Sequence, residues 1–171
     1  MLDNILGGTS SSRLFQEVRE RRGLAYSVYT FLNHYAGTGQ IGLYLGTRAD
    51  NLAEGLRVIG AELERVREAP ATGEELQRSK ENVKGRVVLS LESTSTRMNR
   101  LGSSVLTDVP VLDLDEVIER IDAVTLDDLR ELADELWPLE RMSAAGIGPD
   151  QDVFGEAMAP LGLRGAVEVA A

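Results

Sequence analysis

Arg19 and Tyr26, seven residues apart in the run RERRGLAY at 19–26, are of types that could act together on a polar ligand. An arginine offers a rigid fork of N–H donors and a tyrosine a single O–H donor. Placed at one end of a domain, the two could hold a peptide carbonyl or stabilise a developing oxyanion. Arg19 follows Phe15 by four, at the edge of an apolar helix stripe of Leu14, Phe15 and Val18. Gly23 turns the chain, and Tyr26 opens the strand that follows. A plainer reading competes: Arg19 pairs with Glu20 or Glu17, and Tyr26 is ordinary sheet packing. On spacing alone the plainer reading is preferred.

Other candidate constellations are weaker. GGTSSS, 7–12, could cradle an anion with backbone N–H groups at a helix start. No Gly-Lys-Ser/Thr follows and no strand precedes it, so a helix stop followed by a helix start is the better reading. His34 is the only histidine and the chain has no cysteine. Thiolate and multi-histidine zinc sites are therefore excluded, and a structural role suits His34 better. Glu75, Glu81 and Glu92 lie along one helical pattern and read as a solvated face.

The charge balance narrows the partners. With 18 basic and 28 acidic residues the formal charge is −10, the opposite of a nucleic-acid or anionic-membrane binder. No apolar run approaches the length of a membrane span. The opening residues do not resemble a secretion signal, so a cytoplasmic location is expected.

These residues must be positioned by the elements around them. Leu2, Ile5 and Leu6 form a helical turn that Gly7-Gly8 would end. The turn lacks a beginning, so the chain is expected to start inside an element of a longer polypeptide. Ser10 to Ser12 can cap a helix over roughly 12–21. Residues 24–35 and TGQIGLYLGT, 38–47, read as strands paired in a hairpin about Ala36-Gly37. In the second, Ile41, Leu43 and Leu45 face a core, and Gly42, Tyr44 and Gly46 face away. Leu52, Leu56, Ile59, Leu63 and Val66 make an amphipathic helix ended by Pro70. Thr72 and Glu75 form a capping box for the next helix, whose pattern continues through SLESTSTRMNRLGSSVL with a kink at 93–96. Short helices follow around Leu114–Ile121 and, capped by Thr125, Leu129–Leu136. Residues 142–148 read as a buried strand. The expected fold class is α+β, an antiparallel or mixed sheet with helices on one face. A single domain is expected over 1–171, with a frayed tail at about 162–171.

The pattern GG-x-x-SSRLFQEVRE-x-RGLAYSV resembles the C-terminal domain of the insulinase/pitrilysin family of zinc peptidases, in its bacterial, mitochondrial-processing-peptidase-like branch. The resemblance continues through SKENVKGRVVLSLEST, RMNRLG and LDEVIERIDAVTLDDLRELA, covering roughly residues 5–148. It implies the C-terminal half of a two-domain metalloendopeptidase whose N-terminal half holds Zn2+ on an inverted His-x-x-Glu-His helix plus a distal Glu. The family's metal-free half supplies an Arg and a Tyr to the peptide substrate. They lie seven apart with Gly between them, as Arg19 and Tyr26 do. This chain has no His-x-x-Glu-His, so no metal ligand and no catalytic residue is assigned to it, and alone it is expected to be inactive. The partners implied are a homologous catalytic half or partner subunit and a peptide substrate. The alternative is a non-catalytic scaffold or substrate-recognition subunit of a two-chain peptidase.

Overall fold

The computed structural model of the chain describes residues 1–35, 37–138, 142–161 and 164–165. Helix α1 (Leu2–Leu6) leads to a π-helix (Phe15–Glu20) and a hairpin of β1 (Ala25–His34) and β2 (Gly39–Thr47). Helices α2 (Ala49–Glu68), α3 (Gly73–Ser90), α4 (Thr94–Leu106), α5 (Leu114–Ala123) and α6 (Leu126–Leu136) follow. The end of the described chain carries β3 (Ser143–Ala144), α7 (Gln151–Met158), a short 3-10 turn and β4 (Arg164–Gly165). The molecule is α+β, with its helices on one face of the antiparallel hairpin.

The hairpin follows the alternation in its sequence. β1 and β2 pair from His34 opposite Gly39 to Ala25 opposite Thr47, with a register shift between Ala25 and Ser27. Tyr26 is the extra residue of that bulge. Val28 is buried on the inner face, where Ile41, Leu43 and Leu45 pack against the core. Tyr29 and Tyr44 stack at 5.0 Å between ring centroids on the outer face. There Gly42 leaves room for the Phe31 ring, which any Cβ at that position would overlap.

The core joins α1, the π-helix, the hairpin, α2 and α6. Leu6, Leu14, Val18, Val66 and Trp137 are essentially solvent-free. α2 buries Val58, Ile59, Leu63 and Val66, leaving Leu52 and Leu56 half-buried at the edge of the stripe. Gly7 ends α1, its N–H donating to Asp3 O at 2.9 Å. A Cβ on Gly7 would lie 2.6 Å from Thr30 N, so glycine here permits close backbone approach to β1. Thr30 Oγ1 in turn donates to Asp3 Oδ1 at 2.6 Å. Asn4 Nδ2 donates to Asn82 Oδ1 at 2.8 Å, tying α1 to α3.

The Thr72–Glu75 capping box and the Thr125 cap form as their sequences predict, and a third box, at α5, adds to them. Thr72 with Glu75 opens α3 and Thr125 with Asp128 opens α6; Asp113 with Glu116 does the same for α5. Three expectations are corrected. The Ser10–Ser12 hydroxyls make no capping bond to the π-helix; Ser12 Oγ is buried without a partner among the described residues, and Gln16 Nε2 instead donates to Ser10 O. The helix through 73–106 is broken: α3 stops at Ser90 and Ser93 caps a separate α4, because a Ser side chain competes with the helical ladder there. Residues 142–148 are not a buried strand. Only Ser143 and Ala144 pair, in parallel with Arg164 and Gly165, and Ile147 is fully exposed. The hairpin lies in a different sheet, so this segment has no broad apolar surface to cover. The expected tail at 162–171 lies outside the described residues, apart from β4, as does Ala36 of the expected turn.

Candidate functional site

The π-helix and the start of β1 bring Arg19 and Tyr26 together. Arg21 N donates to Gln16 O, a bond five residues back that widens the turn. Gly23 then takes φ +60, with nothing within 4 Å of an added Cβ, so the backbone conformation alone calls for glycine. Thr47 Oγ1 and Asn51 Nδ2 both donate to Leu24 O, at 2.6 and 3.2 Å, and anchor the turn to β2 and α2. The bulge at Tyr26 projects its ring into solvent, 85% exposed.

The three arginines after Val18 have different fates. Arg21 and Arg22 both pair with Glu17. The hydrogen bond from Arg22, reinforced by the charges of both arginines against some desolvation, holds the Glu17 carboxyl below its usual range. Among the described residues, the one ionic contact of Arg19 is at 3.7 Å, from Nε to Glu20 Oε1. Its guanidinium carbon instead lies 5.3 Å from the centroid of the Tyr26 ring and 4.9 Å from that of Phe15. Ring faces engage the guanidinium by cation–π attraction and leave its in-plane N–H donors free. Of the pairings expected from spacing, Glu20 is a loose neighbour and Glu17 is taken by others.

Beside Tyr26 runs a shallow cleft of about 630 Å³, walled by Ser27, Tyr44, Thr47 and Arg48 among others. Arg48 is its only charged wall residue among the described residues. Another hollow, about 450 Å³, lies over Arg13, Glu62, Arg65 and Glu75. There Arg13 pairs with Glu75 and Arg65 with Glu62, so its charges answer one another.

No group of three or more His, Cys, Asp or Glu among the described residues could hold a metal ion. The described residues therefore do not fit zinc, and no chemical step through a metal is assigned to them. His34 is exposed at the end of β1. Glu81 contacts Lys84 on an exposed helix face. Glu75 is a structural partner of Arg13 and Thr72. No described helix is long and apolar enough to cross a membrane.

Residues 1–83, which include Arg19, Gly23 and Tyr26, match the family described as the peptidase M16 inactive domain. The match shows the resemblance over those residues, just under half of the chain. A curated relative in Streptomyces coelicolor, named an uncharacterized zinc protease, is 41% identical over 152 residues, 89% of this chain and 33% of that protein. A Bacillus subtilis relative of similar name is 42% identical over 137 residues, 80% of this chain and 34% of that protein. The crystal structure of a peptidase M16 inactive domain from Pseudomonas fluorescens superposes with a TM-score of 0.70 at 26% identity, over 79% of this chain and 32% of that one. The chain thus spans about a third of the length of the curated relatives it matches. The insulinase-type resemblance carried by the GG-x-x-SSRLFQEVRE block agrees with this M16 match over residues 1–83.

The structure sets Arg19 beside Tyr26 and also against Phe15, a contact that the sequence reading did not assign. Phe15 was expected in the apolar stripe. The signal available was its four-residue spacing from Arg19, which suits a side-chain contact as well as a stripe.

Proposed function

We propose that this M16 inactive domain is the substrate-binding, non-zinc C-terminal portion of a zinc-dependent metalloendopeptidase. In this reading Arg19 and Tyr26 grip the peptide backbone, and the chain alone does not hydrolyse peptides. The observation that carries it is the free edge of Arg19. Its guanidinium meets aromatic rings, donates no hydrogen bond to the rest of the described chain, and stands beside the exposed Tyr26. An in-plane N–H pair and a phenol O–H at one edge suit a carbonyl oxygen, and suit it more as charge develops on that oxygen. Relatives named zinc proteases are about three times as long as the matched region, leaving length for a zinc-bearing half that would supply the activated water.

The test is cleavage of an internally quenched peptide by this chain assembled with a zinc-bearing half. Arg19→Ala is expected to lower kcat/KM by about a hundredfold, the order seen for loss of one oxyanion donor. Tyr26→Phe, which removes only the hydroxyl, is expected to lower it by about tenfold. Wild-type cleavage by both variants would overturn the role of these residues and favour a scaffold or substrate-recognition subunit.

A further inference from the structure

Phe15 stands outside the core that takes its neighbours. Leu14 and Val18 are fully buried, while Phe15 is half-buried and is not among the residues packed against the core cluster. The π-helix accounts for this. Turns closed by bonds five residues back rotate each residue by less than an α-helical step. Phe15 therefore falls away from the Leu14–Val18 line that an α-helix would have it flank. The ring turns instead to the Arg19 guanidinium, 4.9 Å from its centroid. Tyr26 contacts the same guanidinium at 5.3 Å.

An arginine on a helix surface ordinarily samples many rotamers, and ordering it costs entropy. Arg19 is 40% exposed, and its one ionic contact is long. Tyr26 is itself exposed, so one mobile side chain cannot by itself order another. Phe15, anchored between two buried residues on a short helix, is the fixed member of the trio. We propose that Phe15 is a positioning residue, holding Arg19 by its face against Tyr26 so that the guanidinium N–H edge is set outward for a peptide carbonyl. This rests on the substrate-gripping reading of Arg19 and Tyr26. Phe15 touches no substrate in it, and a merely structural phenylalanine would leave Arg19 unaffected.

Two measurements separate the inference from the reading beneath it. In the 15N-labelled chain, the Arg19 Hε resonance is expected to be shielded by ring currents relative to the other arginines. Phe15→Met, which keeps apolar bulk without a ring, should move it toward them; Phe15→Tyr should leave it shielded. Phe15→Leu serves as a second ring-free variant should Met disturb the fold. In the assembled peptidase, Phe15→Met should lower kcat/KM by about three- to tenfold, the scale of a partly exposed cation–π contact, with an unchanged melting midpoint. Phe15→Tyr should restore the rate. An Arg19 resonance indifferent to both ring-free variants overturns the proposal, whatever the cleavage rates. Wild-type cleavage by Arg19→Ala would instead remove the substrate reading on which it rests.

Discussion

Arg19 shows how three neighbours of the same type can differ in availability. Arg21 and Arg22 share Glu17, whereas Arg19 is held by rings and keeps its donors unspent. That arrangement depends on where the chain turns, and the turn depends on Gly23. Its φ of +60 is a conformation that an L-residue adopts at a cost of about 1–2 kcal/mol. Gly23→Ala should therefore lower unfolding stability by about 1 kcal/mol and Gly23→Asn by less, measured by urea denaturation. Equal stability of Gly23→Ala and wild type would show that the turn relaxes without strain. Gly7 serves a different purpose, since its φ is −149 and the constraint is the nearby Thr30 backbone. The two glycines look alike in sequence, and only the packing distinguishes a conformational need from a steric one.

Arg13 and Glu75 hold elements together. Arg13 Nε and Nη2 donate to the two Glu75 oxygens at 2.8 Å each, and Arg13 Nη1 reaches Ala69 O at 3.2 Å. Glu75 Oε2 also accepts from Thr72 N at 2.8 Å, so one carboxylate closes the α3 capping box and fastens the start of the π-helix segment to it. The Arg13 hydrogen bond outweighs desolvation and, with the Thr72 bonds, lowers the Glu75 pKa from 4.5 to about 2. A folded-state pKa below the unfolded value stabilises the fold above the unfolded value. That contribution is lost as pH falls from about 5 to about 2. Glu75→Gln should destabilise the chain by about 2–3 kcal/mol at pH 7, and the difference from wild type should shrink through that window in denaturant titrations. A difference constant with pH would mean that the carboxylate charge contributes nothing. Arg13 and Glu75 lie 62 residues apart, which is why the capping box was legible in sequence and the ion pair was not.

Across the whole molecule, apolar surface is unevenly covered. α4 buries no residue, and Met98, Leu101, Val105 and Leu106 are exposed, Leu106 at 87%. Val109 and Val111 extend this surface beyond the helix. A patch of this kind on a folded chain should bind an anilinonaphthalene dye. Val105→Lys with Leu106→Lys should reduce that fluorescence without shifting the unfolding midpoint. Undiminished fluorescence in the double variant would place the dye elsewhere.

What the sequence determined by itself is local or blockwise. The hairpin, the α2 stripe and the Thr72 and Thr125 caps were readable because each signal lies within one or two turns or strands. The resemblance to the M16 inactive domain was readable because the GG-x-x-SSRLFQEVRE and RGLAYSV blocks keep their order, and it singled out Arg19 and Tyr26 where spacing alone preferred the plainer reading. Tertiary structure decided the rest. It placed Tyr26 at a bulge, turned Phe15 from the core to Arg19, and left residues 142–148 away from the hairpin sheet. Spacing along the chain encodes bonds between near neighbours. Which ring meets which guanidinium depends on how distant elements compete for the same core, and no local pattern records the outcome of that competition.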